Sequence, residues 1–121
     1  KVFGADISSY AINKSHPKIK NNLKITNCTK LPWKNNYFDL VVSFNTLHNL
    51  YVFELEKSLK EITRVSKKNS YICVESYRNE IEKMNLLYWQ VTCEAFNTPK
   101  EWKWWFEKTN YSGDYSFIYF K

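Results

Sequence analysis

The stretch Phe38-Asp-Leu-Val-Val-Ser-Phe44 constrains this chain more than any other. It is rich in β-branched residues and apolar on both faces, the pattern of a strand in the middle of a parallel sheet. Val52, Leu55, Leu59, Ile62 and Val65 then recur at helical spacing, which predicts an amphipathic helix with Glu56 and Lys60 paired on its wet side. Ser70-Tyr-Ile-Cys-Val-Glu75 follows as a second buried strand. Two such strands joined by a helix pair in parallel through a right-handed crossover, so residues 38–75 specify a βαβ unit.

The rest of the chain extends this pattern. Lys1–Asp6 reads as a buried strand entering a turn. Ser8 and Ser9 are helix N-caps, and the helix they begin should stop at Pro17. Leu23–Thr26 reads as a strand, and Leu31-Pro-Trp33 with Asn35-Asn36 as a loop. Beyond Glu75, a helix is expected over Glu80–Leu87 and an extended segment over Trp89–Phe96. Thr98 as cap and Pro99 at the first helical position open a further helix through Thr109, with Trp102, Trp105 and Phe106 on one face. Gly113–Phe120 closes the chain as a strand. Strands alternating with helices make an α/β fold with a mostly parallel sheet and helices on both faces.

At 121 residues the chain is one domain, and 44% hydrophobic with 25% charged residues is a globular composition. No apolar stretch approaches the length of a membrane span, so no membrane partner is expected. The net charge is +6, with six lysines and no acid between Lys14 and Lys34. A basic run of this kind suits nucleic acid, yet it holds no arginine and no RNA-binding signature, so a solvated surface is the preferred reading. Cys28, Cys73 and Cys93 are odd in number and widely spaced, and neither they nor His16 and His48 fall at metal-ligand spacing. No structural metal is expected, and free thiols without an export signal suggest the cytoplasm.

In open α/β sheets ligands sit outside the carboxyl ends of the strands. Asp6 ends the first strand, Asn27 follows the second, and Asn45 and His48 follow the third. With these positions in place, Val2-Phe-Gly-Ala-Asp-Ile-Ser8, Leu31-Pro-Trp…Phe38-Asp-Leu-Val…Leu47-His-Asn-Leu50, Leu59-Lys-Glu-Ile-Thr-Arg-Val65 and Tyr71–Glu75 together resemble the class I S-adenosylmethionine-dependent methyltransferases. The resemblance implies a Rossmann-like three-layer sandwich. It divides the chain into a cofactor-side half, 1–78, and a substrate-side segment, 79–121. By the same resemblance Asp6 holds the cofactor ribose and Ile7 packs on the adenine. Asn27 stands where the family usually has an Asp that reads the adenine amino group, and Cys28 offers its backbone N–H. Phe44 and Asn45 pass the methionine part, and Trp33 lies in the loop below the adenine. Glu75, Tyr77 and Trp89 are expected to line a pocket for a small-molecule acceptor, with His48 as the candidate general base.

Two departures from the family pattern carry expectations of their own. Lys67-Lys-Asn-Ser70 replaces the usual Pro-Gly-Gly turn, with Asn69 able to take a positive φ. The family's first strand and its glycine-rich loop have no counterpart, so the sheet should be incomplete and the chain is expected to be the C-terminal part of a longer methyltransferase. Three other readings stand beside this one. An acid after a strand also suits a nicotinamide dehydrogenase, which the Leu31–Leu50 block disfavours. A non-catalytic methyltransferase-like scaffold and a basic RNA-binding domain are the others.

Overall fold

The βαβ unit forms as its sequence pattern requires. In a computed structural model describing residues 1–121, Phe38–Phe44 is a strand, Val52–Val65 a helix and Ser66–Glu75 a strand, the two strands paired in parallel. In chain order the elements are β1 (Gly4–Asp6), α1 (Ser9–Lys14), α2 (Pro17–Lys20), β2 (Leu23–Ile25), β3 (Phe38–Phe44), a 3-10 turn at Leu47–Asn49, α3 (Val52–Val65), β4 (Ser66–Glu75), α4 (Glu80–Trp89), α5 (Pro99–Lys108) and β5 (Asp114–Ile118). Every strand pairing is parallel, and the strands form two separate sheets, β1-β2 and β3-β4-β5. No helix is long and apolar enough to cross a membrane.

The core belongs to the larger sheet. Leu55, Leu59 and Ile62 of α3 and Trp102 and Phe106 of α5 meet Ile72 and Val74, which share one face of β4. Leu47, Ala95 and Tyr111 complete the cluster. The helix α5 is fixed by a capping box in which Thr98 Oγ1 accepts the Glu101 N–H while Glu101 accepts the Thr98 N–H.

Five expectations are corrected. The strand β3 was expected to be covered on both faces, but Leu40, Val42 and Phe44 are 59%, 52% and 58% exposed. Only the alternate side chain, Val41, packs toward the core. The first strand is likewise not buried, because β2 is its only neighbour. Asn69 makes no left-handed turn. Instead β4 runs unbroken from Ser66, and a register shift between Phe38 and Leu40 lets β4 take up an additional residue, with Ser66 Oγ bonded to the Asn69 carbonyl at 2.9 Å. Trp89–Phe96 is not extended throughout, since Trp89 ends α4 and residues 91–92 form a turn. Beyond α4 the chain turns and runs irregularly to Thr98, with Thr92, Glu94 and Ala95 bonded to the turn after β3. Pro17, expected only to end a helix, also starts the short α2, whose first turn is capped by His16 Nδ1 accepting the Lys18 N–H.

Two contacts join the loop between the sheets to the rest. Phe3, Trp33, Tyr37 and Phe38 form an edge-to-face cluster with ring centroids 4.8 to 6.5 Å apart, which holds the start of the chain against the entry to β3. Arg64 of α3 donates to the carbonyls of Trp33 at 2.7 Å and Leu31 at 3.1 Å, and to Asn35 Oδ1 at 3.0 Å, while Glu61 braces the guanidinium and accepts the Leu31 N–H. Arg64→Ala removes the only cation in this network. Hydrogen bonds to charged groups contribute about 1.5–3 kcal/mol, so a loss in that range is expected in urea denaturation. Arg64→Lys should recover little of it, because a point charge cannot reach three acceptors in one plane.

Candidate functional site

The two sheets leave a groove between them of about 210 Å³, lined by Ala5 from β1, Cys28 after β2, and Val42, Phe44 and Thr46 at the end of β3. The groove runs along β3 from Phe38 to Phe44 beside β1, and its Phe44–Thr46 end lies at the carboxyl end of a strand, the position where open α/β sheets bind ligands. Both flanking edges are open. Gly4 and Asp6 exchange bonds with the β2 side, and Asn45 donates to the Cys73 carbonyl on the β4 side. By the alternation of a parallel ladder, the backbone groups of Ala5 on one edge and of Leu40, Val42 and Phe44 on the other face the groove.

Of the residues expected to contact a cofactor, Cys28 and Phe44 line this groove, while Asp6, Ile7, Asn27 and Asn45 are chain neighbours of lining residues or of one another. Asp6 is exposed at the end of β1, and its Oδ1 accepts the Ser8 N–H at 2.8 Å, which orients the carboxylate at the strand–helix turn. Ile7 beside it is 73% exposed. Asn27 is exposed and its Oδ1 accepts the Thr29 N–H at 2.9 Å. Cys28 Sγ accepts a hydrogen bond from Ser58 Oγ at 3.3 Å, and burial raises its thiol above the ordinary range. Phe44 tilts against Tyr71 with centroids 5.5 Å apart. Asn45 ends β3 in the left-handed region at φ 50°, a conformation asparagine tolerates better than other side-chain-bearing residues.

The residues expected on the acceptor side are arranged differently. His48, read from the sequence as a candidate base, is 1% exposed. Its Nδ1 accepts the Glu75 N–H at 3.2 Å and its Nε2 lies 3.3 Å from Glu75 Oε2. Both ring nitrogens face one residue, so His48 has no free lone pair for an acceptor. Glu75 is 2% exposed and faces His48 and Gln90 rather than an open pocket. Tyr77 is half-buried under Lys83, whose Nζ lies 5.3 Å from the ring centroid. Trp89 is 74% exposed, on a helix that also exposes Ile81, Met84 and Tyr88.

Burial lowers the His48 pKa from the ordinary 6.5 to about 4, and burial raises that of Glu75 against the opposing hydrogen bond from Gln90. A histidine held neutral in the fold binds fewer protons than in the unfolded chain. Its contribution to stability is therefore complete above pH 6.5 and declines as the pH falls toward about 4. Glu75 acts in the opposite sense, favouring the fold at low pH and losing that contribution as the pH rises through its folded pKa. Denaturation midpoints measured between pH 7 and 4 should fall with pH, and His48→Gln should flatten that slope.

Sequence reasoning missed Gln90, Asn49 and Thr92, which join the segment after α4 to the strand ends, and Arg64 as the anchor of the Leu31–Asn35 loop. A single arginine in the last turn of α3, opposite a loop with three acceptors, was the one signal available in the sequence. The six lysines from Lys14 to Lys34 are all exposed.

Among curated proteins and among solved structures there is no match to this chain. Residues 1–74 match the family model for a methyltransferase domain, and that span covers β1 through nearly all of β4, including Asp6, Asn27 and Asn45. With every strand pairing parallel, and with this match over more than half its length, the chain belongs to the methyltransferase domain family.

Proposed function

We propose that this chain contributes the nucleoside-binding side of an S-adenosylmethionine-dependent methyltransferase acting on a small or medium-sized acceptor. The observation that carries this reading is the placement of Asp6 at the end of β1, exposed and oriented by the Ser8 N–H, within a span matched to the methyltransferase domain. An ionised carboxylate is acceptor-only, and its remaining lone pairs suit two vicinal hydroxyls. Ile7 supplies an exposed apolar surface for a purine. Asn27 retains an amide N–H₂ and one carbonyl lone pair after bonding Thr29, enough for one adenine edge but without charge assistance.

The cofactor supplies an activated methyl group on a sulfonium, so the residues here bind and orient. The nucleoside end finds fitting partners. The amino-acid end does not, since the chain has only Gly4 and Gly113 and no glycine-rich loop. The facing open edges of β1 and β3 favour an additional extended segment between them, and the reading includes it. Burial of His48 and Glu75 favours an acceptor that reaches the sulfonium without proton abstraction by this chain.

Calorimetric titration of S-adenosylhomocysteine into the full-length protein tests the reading. Saturable one-to-one binding is expected, and a folded protein that binds none overturns it in favour of a non-catalytic scaffold.

A further inference from the structure

One polar constellation is left without a task by the cofactor reading. His48, Glu75 and Gln90 are joined in the interior, where Glu75 Oε2 lies 3.3 Å from His48 Nε2 and has no hydrogen-bond partner. Glu75 meets the two ring nitrogens with different groups, its backbone N–H toward Nδ1 and its carboxylate toward Nε2. The hydrogen bond from the Glu75 N–H to Nδ1 selects one form of the ring. Nδ1 must be the unprotonated acceptor and Nε2 must carry the hydrogen, because a proton on Nδ1 would face the Glu75 N–H donor.

The same histidine is tied by its backbone to the segment after α4. The His48 carbonyl accepts the N–H groups of both Glu94 and Ala95 at 2.9 Å. One residue further on, Asn49 donates its Nδ2 to the Asn45 carbonyl at 3.2 Å and accepts from Thr92 Oγ1 at 3.0 Å. Gln90 bonds the other Glu75 oxygen, and Trp102 Nε1 donates to the Glu75 carbonyl at 3.1 Å. Residues 90–95 are thereby connected to the left-handed Asn45 at the end of β3 through His48 and Asn49.

We propose that Glu75 and His48 form a positioning clamp that fixes residues 90–95 to the turn after β3, so that the segment following α4 and the Asn45 end of the groove move as one unit. Neither residue acts on a substrate. Glu75 fixes the ring, the ring fixes the backbone of His48, and that backbone holds the segment. A shift of residues 90–95 on binding an acceptor would then reach Asn45 directly. This last consequence rests on the methyltransferase reading, whereas the clamp does not.

The test uses full-length ¹⁵N-labelled protein without cofactor, so failure of the clamp and failure of cofactor binding are separate results. Imidazole correlations at pH 7 should show His48 as the Nε2–H form with a pyridine-type Nδ1. In His48→Ala the Glu94 and Ala95 amides should exchange at least about tenfold faster, the Asn45 amide signal should move, and the Ile72 and Val74 amides should hold. Glu75→Gln, which keeps the backbone N–H that Nδ1 accepts, should keep the tautomer, the slow amides and the Asn45 signal, and it carries the test if His48→Ala does not fold. An Nδ1–H tautomer or an imidazolium at pH 7 overturns the proposal. So does acceleration of Glu94 and Ala95 no greater than that of Ile72 and Val74, or loss of the tautomer in Glu75→Gln while the segment stays slow.

Discussion

Trp102→Ala is expected to remove about 3–5 kcal/mol of stability, a large fraction of what a domain of this size possesses. Trp102 is fully buried and is the largest of the fully buried side chains. It stacks on Phe106 with centroids 6.2 Å apart and fills the space between α5, α3 and β4. The cavity left by alanine would be lined by side chains held on three different elements, so collapse around it is restricted. The change also leaves the Glu75 carbonyl without its indole donor, beside a carboxylate that already lacks a full set of partners. Trp102→Phe keeps most of the volume but loses the donor, and should fall between wild type and Trp102→Ala in urea denaturation. Equal stability of Trp102→Phe and wild type would mean that the hydrogen bond to Glu75 contributes nothing.

Asp6→Ala is expected to weaken S-adenosylhomocysteine binding by the full-length protein roughly 10- to 100-fold, since a hydrogen bond to a charged acceptor contributes about 1.5–3 kcal/mol and 1.4 kcal/mol is a factor of ten. The fold should be little affected, because Asp6 is exposed and its side chain makes one hydrogen bond, to the Ser8 N–H, while its backbone bonding on the β2 side is unchanged by the substitution. Asp6→Asn tests the charge by itself. It keeps an oxygen for Ser8 but brings an amide N–H₂ to hydroxyl groups, and should bind between the other two. Unchanged affinity in Asp6→Ala would remove Asp6 from the site.

The sequence was most legible where periodicity and local chemistry agree. The limits of β3 and α3, the Ser8 cap, the Thr98–Pro99 start of α5 and the pairing of Glu56 with Lys60 could all be read because each depends on neighbours within a few residues. Asn69 was misread because a turn was assumed where a register shift takes up the additional residue, and register is a property of two strands at once. Burial was misread for Leu40, Val42 and Phe44 for a related reason: alternation shows which residues share a face, not whether anything covers it. Asp6, Asn27 and Asn45 could be found as strand-end polar residues. The fate of His48 and Glu75 could not, since it depends on residues 90–95, whose irregular path has no periodicity to read.

None of residues 1–37 is buried, and β1 and β2 form a sheet apart from the one that carries the core. Such a region opens at a small fraction of the global unfolding free energy. Its amides should exchange through local fluctuations while Ile72 and Val74 wait for complete unfolding. Asp6, Ile7, Asn27 and Cys28 all lie in this labile third, so whatever engages them must order the backbone as it binds. Part of the gross interaction energy is then spent on that ordering. Measured affinity would understate the contacts made, and binding would carry a larger negative heat-capacity change than the ligand's own buried surface accounts for.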